Sequence, residues 1–421
     1  MAYPSTVPSL VYADDVALLS WTPTGLQQLI DAMHNFCQGM GLTISPTKTE
    51  VVVFNGQSSD SWRVAGQPLP VSPSFKYLGL IFHKIGNFSF ALDRLVQNGK
   101  GAKAQLAAKY KGLHCDTSFP MMRRLFDAVV RPTVSYGCEV WGTLSAGTSV
   151  SEIKQMTDIQ LAFFRQTLQL RKAVPAPVIF AEMAEVPWLH TWWVQILRFM
   201  QKLSNLPNGS LHADVLADNV ADALLHPSGD NWAAGIVRQY ASLGMQSPFS
   251  AGRVQSVDPA TFTKAMSDRQ ASIWDGLHVC PRTAPSARAK LCTYQRWFSR
   301  PANTSFEPYY NLPISISKLR LLAQFRMGSH LLPVEQGRFQ RPRVPRYLRR
   351  CTLCGTHALG DERHFVFECP SFQAIRSGFT DLFDAAGGAM RSLLWQRDQK
   401  AVVDCLVAIL RQMDMNNDSS S

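Results

Sequence analysis

No uninterrupted apolar run in this 421-residue sequence reaches membrane-spanning length, and Met1 to Asp15 hold no basic stretch followed by an apolar core. A bilayer span needs roughly 20 apolar residues, and a secretory leader needs that basic-then-apolar order. Membrane insertion and secretion are therefore not expected; the protein is expected in the nucleus or cytoplasm. Charge is sparse as well: 17% of residues are Asp, Glu, Lys or Arg, against 46% hydrophobic. That balance excludes a disordered chain and fills ordinary cores, over a length that allows two or three domains. No internal repeat is visible. The cysteines do not pair off, because nine is an odd number. Cys37, Cys115, Cys138, Cys280, Cys292 and Cys405 stand alone, whereas Cys351, Cys354 and Cys369 gather around a histidine, which reads as reduced thiols plus one metal site. Acid is the scarcer charge, with 31 Asp and Glu against 42 Lys and Arg, a net of +11. Such an excess suits a polyanionic partner, nucleic acid above all, although composition alone leaves an anionic membrane surface open.

What is present begins with a compact alternation of apolar strand, Tyr12-Ala13-Asp14-Asp15, and a second strand from Val16 to Leu19. A helix follows. Thr22 can cap it, Pro23 suits its first turn, and Leu26, Leu29, Ile30, Met33 and Phe36 recur at helical spacing until Gly39 and Gly41 end it. Leu42 to Ile44 and Val51 to Phe54 read as two short strands around a turn at Pro46-Thr47-Lys48. Further strands are expected over 62–82, ending in Phe75-Lys76-Tyr77-Leu78-Gly79-Leu80-Ile81-Phe82, and mostly helix from there to about 205. Gln97 to Leu113 carries Lys100, Lys103, Lys109 and Lys111 with no acid. Met121 to Val130 is another helix, followed by Pro132 and the aromatic stretch Tyr136 to Trp141. Residues 205–265 are mixed, and no role is assigned to them. Asn416 to Ser421 reads as a frayed polar tail.

Two adjacent carboxylates at a tight turn repel one another and are costly to bury, so packing does not explain Asp14 and Asp15. A divalent cation would relieve that cost, since Mg²⁺ takes hard oxygen ligands, typically one or two carboxylates plus substrate phosphates. A solvated turn facing water is the alternative. The order Tyr-Ala-Asp-Asp hairpin, helix, Leu42-Thr-Ile-Ser-Pro-Thr-Lys-Thr-Glu50, then Lys76-Tyr-Leu-Gly-Leu80 resembles the reverse transcriptases of non-LTR (LINE-type) retrotransposons. The resemblance implies an RNA-directed DNA polymerase palm, in which Asp14 is a ligand of the two-metal Mg²⁺ or Mn²⁺ site and Asp15 its weaker partner. Tyr12 and Ala13 would flank the primer terminus, Lys48 would approach the leaving pyrophosphate, and Tyr77, Leu78 and Gly79 would form the primer grip. Without the resemblance, Lys48 reads as a surface lysine at a turn and Tyr77 to Gly79 as an ordinary strand end.

Enzymes of this kind carry a helical thumb that holds the template–primer duplex by its phosphates, a contact that needs only positive charge at the right spacing. The acid-free lysine helix, through Lys100 and Lys103, fits it; a solvated lysine face is the alternative. The Tyr136 to Trp141 stretch reads as thumb core. Between Lys318 and Arg350 stand nine basic residues against one acid, Glu335. Pro342 and Pro345 are expected to keep its last part extended, so that Arg338, Arg341, Arg343, Arg346 and Tyr347 run along a nucleic-acid backbone. Plain solubilisation is the other reading.

Cys351-x2-Cys354, His364 after nine more residues and Cys369 after four more form a Cys₃His set at zinc-ligand spacing. A closed set of four ligands is structural, with no position left for a catalytic water. Phe365, Val366 and Phe367 supply apolar residues that a tiny metal-held fold needs. His357 lies too close to Cys354 to compete well. The spacing is similar to the knuckle that follows the thumb in non-LTR elements, and differs from the short retroviral one.

The expected fold is α+β: a partial palm with catalytic hairpin and primer grip over 1–85, a helical thumb over 86–205, and a helical linker over 206–337. An arginine-rich segment with the zinc knuckle follows over 338–385, then a C-terminal helix and tail over 386–421. Only 13 residues precede Asp14, so the third palm carboxylate and the fingers are expected to be missing and the chain alone to be inactive. Its expected partners are an RNA template and a DNA primer or target DNA, with element RNA in a ribonucleoprotein. Two other classes stay open: a non-catalytic nucleic-acid-binding protein, and a metal hydrolase that adds His34 and Glu50 to the Asp pair.

Overall fold

The computed structural model describes residues 7–56, 60–112, 118–143, 150–207, 209–250, 253–255, 257–275, 286–298 and 308–418. Cys115, Cys280, Leu113 and the last residues of the expected tail fall outside them, as does the Lys111 side chain. The chain opens with the hairpin β1 (Ser9–Tyr12) and β2 (Asp15–Leu18), then α1 (Pro23–Gly39). Two more hairpins follow, β3 (Arg63–Val64) with β4 (Gln67–Pro68) and β5 (Ser74–Tyr77) with β6 (Leu80–His83). Helices come next: α2 (Ser89–Gly112), α3 (Phe119–Ser135), α4 (Cys138–Trp141), α5 (Val150–Thr167), α6 (Ala176–Met183), α7 (Trp188–Ser204), α8 (Leu211–Leu225) and α9 (Trp232–Ser242). A last hairpin, β7 (Phe249–Ser250) with β8 (Arg253–Val254), precedes α10 (Pro259–Asp275), α11 (Ser286–Trp297), α12 (Ile316–Arg326) and α13 (Pro333–Gln336). The C-terminal helices are α14 (Gln373–Ser377), α15 (Thr380–Ala386), α16 (Met390–Leu394) and α17 (Gln399–Asp418). Small antiparallel sheets among many helices make the fold α+β, and no described helix is long and apolar enough to cross a membrane.

The chain forms two compact units. One comprises Met1–Gly99, Thr133–Met156 and Leu189–Met266; the other Lys100–Pro132, Thr157–Trp188 and Ser267–Ser421.

In the first unit, α1 starts and stops where its sequence says it should. Thr22 Oγ1 accepts from Gly25 N at 3.1 Å, and Gly41 after its end takes φ 70°. Its inner face packs Ile30 with Val51, Trp62, Val64 and Leu69. Trp62 Nε1 donates to Pro23 O at 3.1 Å, and the Gln27 amide brackets the Arg63 backbone, so the helix start is pinned to the β3–β4 hairpin. The strands expected at Leu42 to Ile44 and Val51 to Phe54 do not form. Val51 makes a single parallel bridge to Val71, and the chain then turns at Asn55, where φ is 55°. The apolar side chains Ile44, Val51 and Val53 are used by the core beneath α1 rather than by a ladder. Beyond residue 205, where the sequence reads as mixed, α8, α9 and α10 bury Leu216, Val220, Ile236, Tyr240, Phe262 and Met266 against Trp193, Ile196 and Met200 of α7.

Helix α3 runs through Pro132, where the sequence suggested an end. Its ring removes one helical hydrogen bond, but Val130 and Val134 on either side are both fully buried, and that packing keeps the helix continuous.

The second unit is organised around buried charge. Glu182, fully buried on α6, accepts from Arg326 Nε and Nη2 at 2.6 and 3.0 Å, from Tyr294 Oη at 2.6 Å and from the Tyr309 hydroxyl. A buried carboxylate is tolerable only when paired and hydrogen-bonded in this way. Burial, then the adjacent Glu182 charge, raise the Tyr309 hydroxyl well above its ordinary value. Lys290 and Arg338 share Glu335 at 2.9 and 2.7 Å.

Candidate functional site

The loop between β1 and β2 is two residues, Ala13 and Asp14, with Tyr12 paired to Asp15 across it. Two-residue hairpin loops need positive φ, and Ala13 adopts 53°. Asp14 and Asp15 are both exposed, and Tyr12 is 65% exposed. Water therefore solvates the two carboxylates, and the burial penalty that made them conspicuous in the sequence does not arise. They offer hard oxygen donors of the kind that Mg²⁺ or Mn²⁺ takes. Among the described residues, however, no third carboxylate, cysteine or histidine joins them, His34 and Glu50 included.

Lys48 ends a short 3₁₀ turn, Pro46–Lys48, and is exposed. The turn is closed by Lys48 N to Ser45 O at 3.2 Å and by the Thr49 hydroxyl to the same carbonyl at 2.8 Å.

Tyr77 and Leu80 pair across a second two-residue turn, in which Leu78 takes φ 46° and Gly79 φ 88°. Tyr136 braces this turn from below. Its hydroxyl donates to Leu78 O at 2.6 Å, and a Cβ on Gly79 would stand 3.0 Å from its ring. Tyr136 is held in turn by Trp141, whose Nε1 donates to Tyr136 O at 2.9 Å and whose buried ring meets Trp192 edge-on at 5.0 Å. The aromatic stretch that read as core is thus core at Trp141 and a buttress at Tyr136.

The Cys₃His set converges. The ligand atoms of Cys351, Cys354, His364 and Cys369 all lie within 4.8 Å of one another. Cys351 and Cys369 Sγ are 3.9 Å apart, and Cys354 Sγ is 3.4 Å from His364 Nε2. Tetrahedral zinc, with bonds of about 2.3 Å to sulfur and 2.0–2.1 Å to nitrogen, sets sulfurs about 3.8 Å apart and sulfur from nitrogen about 3.5 Å. The arrangement fits. Cys351 is placed by its N–H donating to Ala358 O at 2.9 Å in a small loop, and Asp361 Oδ1 accepts from His364 N at 3.1 Å. His364 begins the wide turn His364–Glu368, which Cys369 N closes onto His364 O at 2.7 Å. The buried His364 Nδ1 faces Glu368 Oε2 at 3.7 Å, the side on which a ligating imidazole usually finds its orienting carboxylate. Burial pushes the Cys351 thiol up to about 12. At Cys354 burial acts the same way but is outweighed by hydrogen bonds from Thr356, Cys351 and His364, which bring it down to about 6. His357 is exposed and outside the cluster.

With both hairpins and the cluster in view, comparison with known families gives one match. Residues 3–82 match the reverse transcriptase (RNA-dependent DNA polymerase) family. The matched stretch holds Asp14, Asp15, Lys48 and the Tyr77–Gly79 turn, and supports a reverse transcriptase domain there; such a domain implies contact with nucleic acid. No curated protein matches the chain.

The basic residues expected beside this reverse transcriptase stretch divide into two groups. In the tract from Lys318 to Arg350, several cations are used inside the fold. Lys318 pairs with Asp404 at 3.0 Å, Arg320 donates to Thr167 O at 2.8 Å, Arg326 holds Glu182, and the 4%-exposed Arg338 side chain holds Glu335. Arg349 is buried, donates to Val344 O and Val334 O, and is lowered to about 10 by burial and by neighbouring arginines, Arg338 foremost. The expectation of an extended tract is corrected accordingly: Arg349 folds it back, and Arg346–Leu348 forms a 3₁₀ turn. Arg341 and Arg343 remain exposed and without an ion pair among the described residues. Arg346 is 53% exposed and lends one Nη to Asp361 at 3.2 Å. On α2, Lys100 is exposed, whereas Lys103 is partly buried, donates to Gln166 at 3.1 Å and is lowered by burial. Charge counting finds an excess of cations but not their internal partners.

Proposed function

We propose that this chain is the nucleic-acid-holding part of a non-LTR (LINE-type) retrotransposon reverse transcriptase, carrying its polymerase hairpin. One observation carries the reading: the stretch that matches the family presents Tyr12 to Asp15, Lys48 and Tyr77 to Gly79 in that order, each on a tight turn and each with exposed residues. In this reading Asp14, with Asp15 beside it, ligates the catalytic Mg²⁺ or Mn²⁺. Tyr12 and Ala13 flank the primer end, and Lys48 offers its compact ammonium to the departing pyrophosphate. Tyr77, Leu78 and Gly79 hold the primer backbone where Gly79 permits close approach. Arg341, Arg343 and Arg346, with Lys100, neutralise phosphates of an RNA template and a DNA primer or target, or of element RNA in a ribonucleoprotein. Cys351, Cys354, His364 and Cys369 hold a structural zinc.

Two-metal nucleotidyl transfer needs more than a pair of carboxylates, and no third joins Asp14 and Asp15 among the described residues. The chain by itself therefore binds template–primer without extending it. Primer extension on the purified chain with Mg²⁺ and a primed homopolymer tests this, alongside a binding assay on the same duplex. Binding without dNTP incorporation is expected; incorporation that Asp14→Ala abolishes would overturn the incompleteness. The second reading, a non-catalytic nucleic-acid-binding protein, is favoured by the assembled Cys₃His cluster, and would show the same binding with no loss on substituting Gly79 or Lys48.

A further inference from the structure

Within the second unit a cavity of about 480 Å³ is lined by Arg171, Leu331, Gln336, Phe339 and Gln340. Among the described residues, no carboxylate is in that lining. Phe339 is half exposed, and the Arg171 guanidinium lies 5.3 Å from its ring centroid. Arg171 makes no salt bridge among the described residues, and its N–H donates to Ser329 Oγ at 2.9 Å; Lys290 Nζ, which pairs with Glu335, also lies 5.8 Å from the Phe339 centroid. The Gln336 and Gln340 side chains are exposed, and their amides take no hydrogen bond within the described protein. Phe339 itself is held in place, its N–H donating to Gln336 O at 2.9 Å. Arg341 and Arg343, both exposed and without an ion pair among the described residues, follow Gln340 closely along the chain.

The chemistry of this lining narrows its occupant. A wholly apolar partner would strip water from Arg171 with nothing to pair it, at a cost larger than the burial of one Phe and one Leu returns. An unpaired nucleobase satisfies every group. Its π face stacks on an aromatic ring or a guanidinium plane, its edge offers donors and acceptors to carboxamides, and its strand carries phosphates for neighbouring arginines. The pocket is open to solvent on one side, and its roughly 480 Å³ accommodates one base.

We propose that this cavity takes one unpaired base of a single-stranded nucleic acid, stacked at Phe339 and Arg171 and read at its edge by Gln336 and Gln340. The proposal rests on the nucleic-acid binding argued above and adds which form of nucleic acid this face selects, and where. Base–aromatic stacking contributes roughly 1–3 kcal/mol per base, so Phe339→Ala weakens single-strand binding by on the order of tenfold.

The test uses the full chain and short fluorescent single-stranded RNA and DNA, against the same sequences fully paired, read by anisotropy. Phe339→Ala is expected to weaken both single strands and leave the duplex within about twofold. Phe339→Trp restores binding, and Gln340→Ala weakens the single strands in the same direction. A single 2-aminopurine in the strand is quenched by the wild-type protein and not by Phe339→Ala. If wild-type protein binds but Phe339→Ala changes nothing, or weakens duplex and single strand equally, the cavity proposal fails and the nucleic-acid reading stands. If wild-type protein binds neither form, both fail. Should Phe339→Ala unfold the chain, the Phe339→Trp and Gln340→Ala proteins still decide the matter.

Discussion

The Asp14 hairpin and the Cys351 cluster are both short-range constructions, yet they end in opposite states. The cluster draws four ligands from one stretch of chain and buries three of them, with spacings that already suit a tetrahedral metal. The hairpin presents two carboxylates to water, with no third group beside them among the described residues. A set of ligands that closes within its own sequence completes itself on folding, while a turn that offers two carboxylates needs groups from elsewhere to enclose a cation.

The contrast breaks first at the metal. A structural zinc contributes roughly 10–16 kcal/mol at neutral pH, so the purified protein should hold one zinc, and chelation or Cys369→Ser should produce the largest fall in unfolding midpoint of any change considered. Equal midpoints with and without metal would erase the distinction. Next comes the buried charge that shares the cluster's unit. Arg326→Met leaves Glu182 unpaired in the core and should cost about 3–5 kcal/mol in a urea titration; a cost near zero would mean that the two tyrosines suffice. On the hairpin side effects are smaller. Gly79→Ala must place a side chain at positive φ against Tyr136, a loss of roughly 1–2 kcal/mol, and Tyr136→Phe should lose about 0.5–1.5 kcal/mol with its hydrogen bond to Leu78. Smallest of all, Asp14→Ala should leave stability within about 0.5 kcal/mol, because the carboxylate is solvated; a clear gain or loss would show that it does structural work.

Much of this was legible in the sequence, for identifiable reasons. The cap at Thr22, the Tyr12–Asp15 hairpin and the Cys₃His spacing are local signals, fixed by neighbours within a turn or a loop, and they appear where the residues place them, whereas the run from Phe75 to Phe82 reads as strand and folds as a hairpin. The strands expected at Leu42 to Ile44 and Val51 to Phe54 failed because apolar residues in short runs serve a core as readily as a ladder. The arginine tract misled in the same way. Arg326 meets Glu182 from a distant part of the chain and Arg349 meets backbone carbonyls brought to it by a fold-back, partners that no count of charge contains, while Arg338 takes Glu335, the one acid the tract itself holds. Phe339 drew no notice in the sequence, because Arg171, which lies over its ring, comes from elsewhere in the chain. Tyr136 likewise reaches the Tyr77–Gly79 turn only through the tertiary fold.

In the proposed reading this chain holds nucleic acid through the few arginines that have no ion pair among the described residues, Arg341 and Arg343. They are tested by titrating a template–primer duplex over a range of salt, with wild-type protein and with Arg341→Ala plus Arg343→Ala. Each phosphate contact contributes a slope of about 0.9 in log affinity against log salt. The double substitution should therefore weaken binding and flatten the slope by nearly two such contacts, with Asp14→Ala indistinguishable from wild type. An unchanged slope and affinity in the double variant would contradict it.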